Sequence, residues 1–183
     1  KRLYVKTRDS PPVFMLLLLR NWHGAHCRAA SSFMKARWLS APSSTAYTVL
    51  LVFHSRTGSA KMMADHLEQG ALSAASVMGD GGNELRVERK EAKDATIDDL
   101  LNADGYLFCA PENLASLSGE MKEFFDRTYY GAFQTREEPS YSEDSILVGR
   151  PYGLVIAAGS DGSSAAKQVE RICQGWRLKP VAD

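Results

Sequence analysis

Three almost uninterrupted apolar runs, each closed by a turn rich in small and hydroxyl residues, constrain this 183-residue chain more than any other feature. They occupy residues 48–53, 105–110 and 152–158. A strand with one wet face alternates apolar and polar side chains. A strand apolar at nearly every position has both faces covered, which is the situation in a parallel sheet lying between two layers of helices.

The segments between these runs supply the helices. Ala60, Met63, Ala64, Leu67 and Ala71 fall on one helical face, so a helix follows the first run and ends near residues 79–82 or earlier at Gly70. At residues 84–89, Leu85 and Val87 alternate with charged neighbours, the pattern of an edge strand. Thr96, followed by acids, starts a short helix up to residue 102. Ser118 caps another, with Met121, Phe124, Phe125 and Thr128 inward. A polar stretch over residues 129–149 reads as a long loop. The last helix turns Ala166, Val169, Ile172, Cys173 and Trp176 inward, and residues 178–181 open a further strand.

Strand and helix alternate throughout, which predicts one α/β domain built on an open, doubly wound parallel sheet. The weak second strand belongs beside the first, at the edge. Ligands of such sheets sit beyond the carboxyl ends of the strands, where the strand order reverses. The expected domain covers residues 46–183 and lacks its last strand and helix. One face of the sheet is then expected to stay partly open to water, which leaves a homo-oligomer open.

Residues 1–45 read as a separate leader. They hold Pro11, Pro12 and Pro42 and no sustained period, and residues 15–45 are Arg-, Ser- and Ala-rich and free of acids. That is the composition of a mitochondrial or plastid transit peptide, with a disordered or spurious leader as the alternative and a cytoplasmic location if it is not a targeting signal. Eight of the 22 basic residues but one of the 22 acidic residues lie in this leader, which leaves 14 against 21 and a net of −7 for the remainder. An acidic body argues against nucleic acid as a partner. The longest apolar run, residues 13–19, is too short to span a bilayer. Cys27, Cys109 and Cys173 show no metal-binding or disulfide spacing, and His23, His26 and Cys27 lack a fourth ligand, so no metal is expected.

Chemistry is expected in the three loops after the buried strands. The first is His54-Ser55-Arg56-Thr57-Gly58-Ser59-Ala60, where hydroxyls, one glycine and a helix N-terminus suit a phosphate monoester. The spacing of an ATP-binding phosphate loop is absent. A low-molecular-weight phosphatase would place a cysteine where His54 stands, and a receiver domain would end a central strand in aspartate. The second loop, residues 109–119, mixes apolar and amide side chains in a way that suits a flat heteroaromatic ring, with Leu114 and Leu117 over its faces. Glu112 there is a general acid or, more plainly, a solvated or capping carboxylate. The third, Ala158-Gly159-Ser160-Asp161-Gly162, offers glycines for close backbone approach.

Residues 49–58, Val-Leu-Leu-Val-Phe-His-Ser-Arg-Thr-Gly, resemble the phosphate-loop strand of flavodoxin-like FMN proteins. Ala110-Pro111-Glu112-Asn113, followed by Ser118-Gly119-Glu120-Met121-Lys122-Glu123-Phe124-Phe125-Asp126-Arg127, is similar to the second flavin loop and helix of their NAD(P)H-dependent FMN reductase and quinone reductase relatives. His54 departs from the small or hydroxyl residue usual at its position. The resemblance implies a flavodoxin-like fold with FMN as cofactor and NAD(P)H as electron donor to a quinone or other small acceptor. It places the FMN phosphate on Ser55, Arg56, Thr57, Gly58, Ser59 and Ala60. The isoalloxazine falls to Pro111, Glu112, Asn113 and Leu114, and its other side to Ala158, Gly159, Ser160, Asp161 and Gly162. No side chain need be catalytic, because the cofactor carries the chemistry. A flavodoxin-type electron carrier that docks protein partners, or a flavin-free interaction scaffold, are the alternatives.

Overall fold

The computed structural model describes residues 2–5, 46–78, 84–133 and 145–181. Four parallel strands form its centre: β2 (Ala46–Phe53), β3 (Glu84–Glu91), β4 (Gly105–Asn113) and β6 (Pro151–Ala158). They lie side by side in the order β3-β2-β4-β6. The strand order therefore reverses between β2 and β4, as the alternating sequence pattern requires. Phe53 pairs with Cys109, and Cys109 with Val155, so the carboxyl ends of β2, β4 and β6 come out along one edge.

Two short strands extend the sheet beyond β6. β7 (Lys179–Pro180) runs parallel to β6 at Pro151 and Tyr152, where the sequence opens a further strand. β1 (Arg2–Val5) runs antiparallel to β6 from Val155 to Ala158. The sequence reading has no strand there, since four residues among polar neighbours carry too little pattern to announce one. The metal-like grouping of His23, His26 and Cys27 and the rest of the leader lie outside the described residues.

Helices cover both faces. On one, α1 (Ser59–Met78) packs against β3, β2, β4 and β6 and buries Ala60, Ala64 and Ala71 among Val49, Leu51, Phe53, Leu107, Cys109 and Val155. The expectation that this face stays partly open is corrected here, because those strand residues are 0 to 6% exposed. A helix of this length spans roughly 30 Å, enough to cross all four strands. It runs straight through Gly70, since one glycine costs only about 1 kcal/mol in a helix held by packing.

The opposite face carries α2 (Ile97–Asn102), α3 (Gly119–Thr128) and α4 (Ser163–Gly175). Phe108 on β4 is its centre, with Tyr106 stacked at 5.9 Å and Phe125 edge-on at 5.2 Å. Trp176 packs on Phe125 and Tyr129 and donates Nε1–H to the Tyr129 carbonyl at 3.1 Å, so its one polar atom is satisfied. Burying each such ring is worth about 2 to 3 kcal/mol. Thr96 and Asp99 close α2 with a reciprocal capping box. Ser118 stands at the N-cap of α3 without a side-chain cap bond, and its buried hydroxyl has no partner, which corrects its reading as a capping side chain. Within residues 129–149, a 3₁₀ turn spans Tyr130–Phe133. Among the described residues, no helix is long and apolar enough to cross a membrane.

Candidate functional site

The phosphate-like loop begins where β2 leaves the sheet. Its backbone turns at Gly58, whose φ of +91° is open to glycine without strain, and Ser55 Oγ accepts from the Gly58 amide at 3.1 Å. The Gly58 carbonyl then accepts from Met62 N at 2.9 Å, which makes Gly58 the N-cap of α1. Arg56, Thr57 and Gly58 are exposed while Ala60 is buried. The first turn of α1 carries no acid, so the helix N-terminus presents amides and partial positive charge to solvent. His54 anchors the loop from below. Its amide donates to the Cys109 carbonyl at 3.0 Å, and its Nδ1 lies 3.0 Å from Glu120 Oε1 on α3.

The second loop is a hairpin, a feature the sequence reading missed. β4 continues past the sheet to Asn113, turns over Leu114 and Ala115, and returns as β5 (Ser116–Leu117). Leu114 and Ala115 have φ of +51° and +57°. Two successive positive φ values in a two-residue hairpin are the mark of a type I′ turn, which favours Asn-Gly. Leu and Ala in that conformation store roughly 1 kcal/mol or more each. Leu114 is fully exposed at the tip, and Leu117 is buried.

The third loop follows β6. Asp161 Oδ1 accepts from the Ser163 amide and hydroxyl, both at 3.0 Å, and that backbone bond holds its carboxyl below the usual range. Asp161 thus serves to cap the start of α4. Gly162, at φ +72°, makes the turn, and Gly159 and Ser160 are exposed. Ser160 Oγ donates to Glu112 Oε2, which joins the third loop to the second. A second link lies behind the hairpin: Gln168 Oε1, on α4, accepts from Ser116 Oγ at 3.2 Å and from Leu117 N at 3.3 Å. Gln168 was not singled out from sequence. The available signal was its place beside the inward row of Ala165, Val169 and Ile172.

The sequence profile of the NADPH-dependent FMN reductase family matches residues 44–182, which contain all three loops. The chain belongs to that family. As an FMN-reductase-family member it shares 38% identity over 78 residues with a flavodoxin of Aquifex aeolicus, covering 43% of this chain and 38% of that protein. Over 92 residues it is 29% identical to an NAD(P)H dehydrogenase (quinone) of Acidithiobacillus ferrooxidans, covering 44% and 46% respectively. Each match thus spans less than half the length of the curated relative. Among solved structures, two-electron reduced Megasphaera elsdenii flavodoxin superposes with a TM-score of 0.54 at 19% identity, covering 73% of this chain and 82% of the other. A flavodoxin of Streptococcus pneumoniae gives 0.52 at 18%, covering 73% and 79%. These likenesses establish the flavodoxin-like fold.

The family name implies FMN, and the residues fit both its ends. A phosphate needs donors without a competing carboxylate, which the exposed turn around Gly58 and the acid-free start of α1 provide. A flat ring needs an open slot walled by backbone. At Gly159 nothing lies within 4 Å of where a Cβ would stand, so the third loop leaves room for a ring there, while the Ser160 to Glu112 bond is a link between the two loops that a ring placed between them would part. Neither thiol among the described residues is poised for chemistry: Cys109 and Cys173 are buried, and burial pushes the Cys109 thiol up to about 12. Cys109 Sγ instead donates to the Ala60 carbonyl at 3.3 Å, which helps fix the start of α1.

Proposed function

We propose that this chain is an FMN-dependent oxidoreductase that takes electrons from NAD(P)H and passes them to a quinone or another small acceptor. The observation that carries this reading is the meeting of the three loops on one edge of the sheet, in a chain whose family is named for the same chemistry. In this reading the flavin domain covers residues 46–183. Ser55, Arg56, Thr57, Gly58, Ser59 and Ala60 would hold the FMN phosphate. Pro111, Glu112, Asn113 and Leu114 would line one side of the ring, and Ala158, Gly159, Ser160, Asp161 and Gly162 the other.

The chemistry that FMN supplies when bound is acceptance of two electrons from the nicotinamide and their delivery to the acceptor. The chain's own residues bind, orient and shield. His54 and Cys109 hold the phosphate turn in place from beneath. Leu117 closes the inner side of the hairpin against water. Glu112 is read as a bonded partner of Ser160 rather than as an acid.

A flavodoxin-type electron carrier is the second reading, favoured by the match to the Aquifex aeolicus flavodoxin. Stopped-flow mixing of the FMN-loaded protein with NADPH separates the two. Direct bleaching of the flavin absorbance is expected for the oxidoreductase. A flavin that stays yellow with NADPH and NADH, yet accepts electrons from a protein donor, would make the chain a carrier.

A further inference from the structure

The β4–β5 hairpin cannot hold its own shape on local preferences. Its two turn residues, Leu114 and Ala115, sit at φ values that neither side chain favours, and the tip stands clear of the body with Leu114 fully exposed. A strained turn persists only where surrounding contacts over-determine it. Three sets of bonds do so. Ser118 N donates to the Pro111 carbonyl at 3.2 Å across the base of the hairpin. Ser160 Oγ donates to Glu112 Oε2 on the side of the third loop. Gln168 Oε1 accepts from Ser116 Oγ at 3.2 Å and Leu117 N at 3.3 Å on the returning strand.

The last two differ in what a ligand does to them. The Ser160 to Glu112 bond spans the gap between the two loops assigned to the ring, so a bound ring competes with it. Gln168 belongs to α4, whose inner face is fixed by Ala165, Ala166, Val169 and Cys173, all 0% exposed. Its grip lies on β5 rather than on the ring-lining end of β4, and it survives when the ring enters.

We infer that Gln168, a residue outside all three loops, is a positioning residue for the ring site: its amide oxygen pins the hairpin to α4 and so fixes the wall on which a flat ring rests. This inference builds on the FMN reading. It assigns a role to a helix side chain that makes no contact with the ring itself.

The test is titration of FMN and riboflavin by flavin fluorescence, with the visible spectrum of the bound flavin, on the full chain and on Gln168→Met, Gln168→Glu and Ser116→Ala. Gln168→Met keeps length and apolar bulk but loses the acceptor. It is expected to weaken FMN and riboflavin by the same factor, about tenfold, and to blur the fine structure of the bound spectrum at saturation. Gln168→Glu keeps an acceptor for the Ser116 hydroxyl and the Leu117 amide, and is expected to stay within about threefold of the parent. Ser116→Ala, which leaves α4 untouched, is expected to move in the same direction as Gln168→Met by a smaller factor. If the parent chain binds neither flavin, the FMN reading itself fails. If the parent binds and Gln168→Met and Ser116→Ala keep its affinities and spectrum, the role of Gln168 is overturned. Equal losses in Gln168→Met and Gln168→Glu overturn it as well.

Discussion

His54 Nδ1 stands 3.0 Å from Glu120 Oε1, tying the first residue after β2 to the first turn of α3. His54 is 12% exposed in its side chain and Glu120 39%, so the imidazole has little water to turn to if the carboxylate is removed. Glu120→Ala is therefore expected to lower stability by about 1 kcal/mol and to loosen the phosphate end of the site. FMN should lose affinity while riboflavin, which lacks the phosphate, should not. Glu120→Gln, which can still accept from Nδ1–H, should restore most of both. Urea unfolding and paired flavin titrations measure this, and equal losses for the two flavins would separate the pair from the phosphate turn.

Thr57 is exposed on the turn assigned to the phosphate. Thr57→Glu puts a carboxylate where a dianion would sit. Repulsion of like charges a few ångströms apart in a partly desolvated site is on the order of several kcal/mol. FMN binding is expected to be abolished in a fluorescence titration, with riboflavin binding left near its parental value. Unchanged FMN affinity would remove the first loop from the site.

The hairpin turn holds stored strain that sequence change can release. Replacing Leu114-Ala115 by Asn-Gly supplies the residues that a type I′ turn favours. It is expected to raise stability by roughly 1 to 2 kcal/mol, read as a higher urea midpoint with unchanged slope. The same variant should bind FMN more weakly if Leu114 covers the ring. A stability equal to or below the parent's would mean that the turn is not strained.

Burial raises the Cys109 thiol to about 12 and the Cys173 thiol well above its ordinary value. In the unfolded chain a thiol titrates at about 8.5. Above that pH the folded state keeps protons that the unfolded state has lost, so stability falls as pH rises through the window from about 8.5 towards 12. Below it, these two groups contribute no pH dependence. Urea midpoints taken between about pH 7.5 and 10 should fall for the parent and fall less steeply for Cys109→Ala, in which Cys173 still contributes. Alkylation should also spare both thiols until the chain unfolds. A slope unchanged in Cys109→Ala would contradict its desolvation.

What the sequence determined by itself is the set of structures whose cause is local. A buried parallel strand must be apolar on both faces, and residues 49–53 and 105–110 are, so the sheet and its reversal of order were legible. The helical faces of Ala60, Met121, Phe124 and Val169 follow from a 3.6-residue period, and the start of α2 from Thr96 followed by acids. The three loops were legible as a group because topology alone brings the carboxyl ends of these strands to one edge. Tertiary structure alone decided the rest. Leu114-Ala115 carries no signature of a type I′ turn, and the hairpin exists because Ser160 and Gln168 hold it from elements distant in sequence. Ser118 looked like a cap and is an unpartnered buried hydroxyl, since its side chain answers to packing around it rather than to the helix it precedes. The pairing of Arg2–Val5 with β6 and the closure of the α1 face depend on which edges and grooves the assembled sheet leaves available, a quantity no window of sequence contains.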